Sequence, residues 1–453
     1  MSTGAGARPP SVERLLVAAR PHLGSREHAA MLAAAREVIA QERGRLADGS
    51  AATPLPKLAA AVLARLDGAA GAGLVPVINA TGVILHTNLG RAPWPAAAIR
   101  AAAEAATGAS LLEMDRSSGR RGARFRAVEE HLMALTGAED ALVVNNNAAA
   151  VALAVGLAGR GRGVVIARGE LVEIGGGVRI PEIIRRAGLR LVEVGTTNRT
   201  RLADYEEVLA AGKAALVLRV HASNFRMEGF VEGPDLAALA ALADHHGVPL
   251  VDDLGSGALL DTATFGLAHE PMPSERLATG ADLVTFSGDK LVGGPQAGLI
   301  AGRADLVERM RRDPLARAMR PDKVTLAALA ATLRLYRAGL AQAEIPVWRM
   351  IATPVAALEA RARALASELP GTVATALETT IGGGSLPGQV LPSWGLALER
   401  SSAERLLARL RQGEPAVIGR IEDGAVRLDL RTVSSADDER LATAVRAALS
   451  KAP

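Results

Sequence analysis

Cysteine is absent from all 453 residues. That absence excludes disulfides, thiolate–zinc sites, iron–sulfur clusters and cysteine nucleophiles together. No run of about 18 uninterrupted apolar residues occurs, so a membrane span is not expected. The first ten residues hold one arginine and no apolar core, so a secretory leader is not expected either, and the expectation is a cytoplasmic protein. Lysine is scarce: Lys57, Lys213, Lys290, Lys323 and Lys451 are five of 52 basic side chains, the rest being arginine. A chain that meets nearly every need for a cation with arginine has a particular use for a lysine, such as an amine able to lose its proton and form a Schiff base. The eight histidines show no metal-ligand spacing, and no metal is expected.

What is present describes a folded protein. Hydrophobic residues make up 49% and charged residues 22%, a balance that excludes intrinsic disorder. At roughly 150 residues per domain the length allows two or three domains. The net charge of +4 gives a weak preference for anionic partners and decides nothing alone.

Residues 1–70 read as a helical domain with an excess of basic over acidic residues. Val12–Ala19, Glu27–Glu42 and Leu58–Leu66 carry apolar residues at helical spacing, interrupted by Pro21, Gly24 and Pro54-Leu-Pro56. The Gly/Ala-rich stretch 68–73 reads as a linker. From about Val75, seven short apolar runs alternate with helical stretches: Ala141–Asn145, Gly163–Ala167, Leu191–Val194, Ala215–Val220, Pro249–Asp252, Asp282–Phe286 and Ala297–Ala301. Such alternation predicts an α/β domain over 71–335 with a seven-stranded, mostly parallel sheet covered on both faces, and a ligand beyond the carboxyl ends of the strands. Residues 336–453 read as a smaller α+β domain with strands at Gly395–Glu399 and Val426–Leu430.

The strand-end loops are polar. Lys290 follows the sixth run in Phe286-Ser-Gly-Asp-Lys-Leu-Val-Gly-Gly-Pro-Gln296, where glycines permit close approach of a ligand and burial would depress an amine pKa. Ser287-x-x-Lys290 has acylase spacing, but the companion S-D-N and K-T-G elements are missing. A phosphate loop ending in G-K-[ST] is missing too. At the preceding strand end Asp252 and Asp253 both suit a partner for a pyridinium nitrogen, with Asp253, beside the glycines, the preferred one. Asn145, Asn146 and Asn147 open a helix, and with Ser287 they suit a phosphate. Lysine, acid and phosphate cradle in this order point to a pyridoxal 5'-phosphate enzyme of the aminotransferase-like type (fold type I).

Five stretches go further: Asn79–Ala92, Leu112–Gly122, Val194–Asn198, Val220–Phe225 and Phe286–Lys290. They closely resemble the bacterial selenocysteine synthases, the L-seryl-tRNA(Sec) selenium transferases. The resemblance implies conversion of seryl-tRNA(Sec) to selenocysteinyl-tRNA(Sec) through an aminoacrylyl-tRNA intermediate, with selenophosphate as selenium donor. It also implies an N-terminal tRNA-binding domain and a homo-oligomer built as a ring of dimers, up to a decamer. Lys290 would hold the cofactor, and His86 and His221 would touch its ring. Arg91, Arg317 and Arg320 would bind the donor phosphate, the last two from one helical face at i, i+3. Thr196, Thr197, Asn224 and Asp289 would line the substrate pocket, with Asp289 beside the catalytic lysine. Ala222 and Phe225 stand where the family usually has Thr or Tyr. The competing expectation is a lyase of the same fold acting on a free small amino acid or amino-sugar acid, which would not need residues 1–70.

Overall fold

The computed structural model describes residues 8–20, 28–47, 51–70, 73–122, 126–174, 177–399 and 402–450. It divides into two compact units, Met1–Val77 and Ile78–Pro453.

The first unit holds helices Val12–Ala19, His28–Ala47 and Leu55–Ala70. Ser11 starts the first by accepting the Arg14 N–H at 3.2 Å. Leu15, Val38, Ile39, Leu58 and Val62 form a small aliphatic core between the three. The prolines at 54 and 56 begin the third helix where a break was expected, because a proline in the first turn gives up an N–H that has no helical partner anyway. That helix also runs on through Ala70, so the expected linker is helical at 68–70. Positions 71 and 72, like the expected break at Pro21 and Gly24, lie outside the described residues.

The strands, in chain order, are β1 (Val77–Asn79), β2 (Asp140–Val144), β3 (Gly163–Ala167), β4 (Glu173–Ile174), β5 (Val178–Arg179), β6 (Arg190–Val194), β7 (Leu216–Val220) and β8 (Leu250–Gly255). They continue with β9 (Leu283–Ser287), β10 (Gly298–Gly302), β11 (Thr372–Thr380), β12 (Val390–Leu398), β13 (Ala416–Ile418), β14 (Arg420–Glu422) and β15 (Ala425–Asp429). Seven of them form one sheet in the order β2-β10-β9-β8-β7-β3-β6. Strand β10 runs antiparallel to both neighbours and the other pairs are parallel. All seven expected runs are therefore strands of the expected sheet. Their continuous apolar sequence follows from burial: every residue of β2, β3, β8, β9 and β10 is buried.

A second, four-stranded antiparallel sheet, β11-β12-β15-β14, lies in the C-terminal part. Its core includes Leu358, Leu396, Leu406, Val426 and Leu441, and also Ile78 and Ala80. Strand β1 pairs with β13, so the segment entering the sheet region belongs in space to the C-terminal layers. The core under the large sheet likewise takes in Ile345, Val347 and Trp348, beyond the expected boundary at 335. The Leu85 N–H donates to Ile381 O at 2.8 Å, which brings the Gly382–Gly384 turn beside the large sheet's strand ends.

Candidate active site

Lys290 follows β9 in a loop closed by glycines and is only 6% exposed. Its Nζ lies 3.5 Å from the carbonyl oxygen of Gly384. Gly384 has φ +75°, and a Cβ there would come within 3.1 Å of Nζ, so backbone alone fits over the amine. Burial holds the Lys290 pKa below the usual lysine range, with Asp253 opposing and Arg91 assisting. That favours the neutral, nucleophilic amine.

Strand alternation settles which aspartate faces it. Asp253 pairs in register with Val220 and Asp252 with Arg219, so the two side chains leave β8 on opposite faces. Asp253 lines a cavity of about 290 Å³ together with Lys290. Asp252 turns away and forms an ion pair with Arg276 at 2.8 Å. The Asp253 Oδ1 accepts from Asn147 Nδ2 at 2.8 Å and from Thr285 Oγ1 at 2.9 Å. Asp253 is 3% exposed, and this burial raises its pKa against those two hydrogen bonds.

The asparagines divide their labour. Asn146 caps the helix Asn147–Gly156 by accepting the Ala149 N–H at 2.9 Å, while Asn147 holds Asp253. Asn145 does not reach the cavity; it is exposed, and its N–H donates to Met319 O at 2.8 Å. Asn146, Asn147, Ser287, His221, Asn224, Asp289 and Arg91 do line it. Arg91 Nη1 donates to Asp289 Oδ2 at 2.8 Å, from a backbone at φ +60°. His221 Nε2 lies 3.4 Å from Oε1 of the buried Glu270. Ser223, Gln296 and the Gly384 turn were not anticipated, because their proximity to Lys290 is created by the tertiary fold.

Other expected residues lie elsewhere. Thr196 is spent on a turn, its Oγ1 donating to Arg199 O at 3.0 Å. Thr197 lines a neighbouring cavity. The helix carrying Arg317 ends at Ala318, so Arg317 and Arg320 do not share a helical face. Pro321 disfavours helical backbone at the preceding Arg320, so the helix that opens at Pro314 stops short of it. Both arginines are exposed, Arg320 lies 3.5 Å from Glu113, and neither lines the Lys290 cavity within one chain.

The residues present fit pyridoxal phosphate. A buried amine and a buried carboxylate share one cavity with a helix N-terminus and the Ser287 hydroxyl. The Asn147 Oδ1 is buried with no hydrogen-bond partner among the described residues, which marks a wall built for a ligand.

Comparison with known proteins decides the family. The family model described as SelA, L-seryl-tRNA selenium transferase, matches residues 77–434. The chain belongs to the L-seryl-tRNA selenium transferase family. The transferase of Rhizobium meliloti (strain 1021), named L-seryl-tRNA(Sec) selenium transferase, is 45% identical over 439 residues, 94% of either chain. That of Moorella thermoacetica, with the same name, is 45% identical over 452 residues, covering 97% of this chain and 96% of its own. Such coverage takes the transferase similarity into the N-terminal helices. Among solved structures, D-glucosaminate-6-phosphate ammonia-lyase has a TM-score of 0.61 at 24% identity, over 84% of this chain and 97% of its own. That likeness bears on the fold, which is the aminotransferase-like fold type I.

Proposed function

We propose that the chain converts L-seryl-tRNA(Sec) to L-selenocysteinyl-tRNA(Sec) by β-replacement, with pyridoxal phosphate as cofactor and selenophosphate as selenium donor. The observation that carries this reading is the buried Lys290–Asp253 cavity in a member of the transferase family. Lys290 would hold the cofactor through its amine, Asp253 its ring nitrogen, and the Asn147 helix N-terminus with Ser287 its phosphate. When bound, the cofactor supplies an electron sink for the seryl α-carbon, which makes the α-proton removable and the β-hydroxyl a leaving group.

The chain's own groups do the rest. Lys290, its pKa lowered by burial, takes the proton from the seryl Cα once its amine is free. Asn147 and Thr285 fix Asp253 through one carboxylate oxygen and so set the direction of the other. Arg91, held by Asp289, offers a guanidinium suited to the donor's phosphate oxygens. In a homo-oligomer, Arg317 and Arg320 of a second copy complete the donor site, because one chain does not bring them to Arg91. The N-terminal helices bind tRNA(Sec), and the enzyme works in the cytoplasm; no helix among the described residues is long and apolar enough to cross a membrane. The direct test is selenium transfer from selenophosphate to seryl-tRNA(Sec) by the purified, cofactor-loaded protein. Absence of any selenocysteinyl product would refute the proposal.

A further inference from the structure

Beside the lysine cavity lies a larger one, of about 530 Å³, that the reaction above leaves unused. Its size falls in the range of about 300–1,000 Å³ usual for small-ligand pockets. Val220 and His221 line both cavities. The chain joins them as well: Gly384 closes over Lys290, and Leu386, Pro387 and Gln389 continue into the wall of the larger cavity. A molecule with its reactive end at Lys290 has room to extend past His221 into this space.

The wall holds two buried carboxylates, Glu270 and Asp252, whose oxygens lack well-aligned donors. Glu270, 3% exposed, has its Oε1 3.4 Å from His221 Nε2 and buried without an aligned hydrogen bond among the described residues. The same holds for both carboxylate oxygens of Asp252, whose ion pair with Arg276 lacks hydrogen-bond alignment. Arg219 is already taken, donating from Nε to Glu170 Oε1 at 2.7 Å. Buried acceptors of this kind are costly unless a ligand supplies donors. A phosphate is an anion that the carboxylates of Glu270 and Asp252 repel, whereas a neutral nucleoside offers hydroxyl and amino hydrogens.

Every tRNA carries its amino acid as an ester on the ribose of its 3'-terminal adenosine. With the seryl group at Lys290, ribose and base must occupy the space next to it. We infer that the larger cavity seats this terminal adenosine, with ribose hydroxyl and adenine amino groups donating to Glu270 and Asp252. The inference rests on seryl-tRNA being the substrate.

Two probes and two variants test it. The probes are adenosine, with cytidine as control, and a non-hydrolysable adenosine carrying serine through a 3'-amide. The variants are Glu270→Gln and Thr197→Trp, the second placing an indole in the cavity from an exposed position of its wall. Adenosine is expected to compete with seryl-tRNA and cytidine to fail. Glu270→Gln should weaken the seryl-amide probe about tenfold, one lost hydrogen bond to a charged group. Thr197→Trp should raise KM for seryl-tRNA with kcat kept, and the cofactor absorbance should be unchanged in both. Equal competition by cytidine, or wild-type KM and probe affinity in both variants while transfer proceeds, would overturn the inference. Failure of the wild type to transfer selenium would instead refute the substrate reading beneath it.

Discussion

Lys290 and Asp253 are both buried, and burial moves them in opposite directions, the amine pKa down and the carboxyl pKa up. Each is thereby biased toward its neutral form until a cofactor supplies the charge to balance it. Lys290→Ala should abolish both the cofactor's lysine-dependent visible absorbance and the transferase activity, read by spectrum and product assay. Asp253→Asn should leave cofactor binding detectable but slow α-proton exchange about a hundredfold or more, the scale of a lost acid–base contribution. Deuterium exchange at the seryl α-carbon measures this, and an unchanged rate would remove Asp253 from the mechanism. At this scale Lys290 was legible because lysine is rare in the chain and this one ends a buried strand. Asp253 was preferred over Asp252 for its place beside the glycines, and the strand register turns it toward the Lys290 cavity. Glu270, Ser223 and Gly384 were not legible, since only the fold brings them to Lys290 and His221.

Among the elements, the buried parallel strands could be read almost to the residue because a strand covered on both faces needs an unbroken apolar run. The half-exposed β11, Thr372–Thr380, carries a mixed pattern and was missed, and Pro392 and Ser393 hid the first half of β12. The spacing of Arg317 and Arg320 misled because Pro321 disfavours helical backbone at Arg320, so the helix that would have aligned them ends at Ala318. A different element contact predicts a pH effect. Glu129, on the helix Ala127–Thr136, is buried beside Arg311, Arg126 and Asp140, and desolvation pushes its pKa up to about 7 despite the arginines. The folded state keeps this proton up to about pH 7 while the unfolded chain releases it in the ordinary carboxyl range. Its contribution is therefore fully present at low pH and is lost as pH rises toward about 7. Urea unfolding at about pH 5 and about pH 8 should show Glu129→Gln gaining on the wild type between the two, by on the order of 3 kcal/mol at most. A constant difference would mean that Glu129 titrates normally.

For the whole molecule, the division into Met1–Val77 and Ile78–Pro453 separates a small basic helical unit from one that contains every residue of the Lys290 cavity. The helical unit was legible from spacing and its tRNA role from family resemblance, whereas the pairing of β1 with β13 was hidden, because strand partners far apart in sequence leave no local signal. If the helices carry tRNA recognition, affinity for tRNA should fall steeply with salt through counterion release. A truncated chain beginning at Val75 should still bind pyridoxal phosphate and lose most of its discrimination for tRNA(Sec). Equal tRNA binding by the full and truncated chains would place recognition in the sheet unit. The central claim concerns the substrate, and one comparison addresses it: selenium transfer from selenophosphate to seryl-tRNA(Sec) against transfer to free serine, under the same conditions. The account predicts selenocysteinyl-tRNA from the first and negligible product from the second; turnover of free serine with seryl-tRNA left unchanged would contradict it.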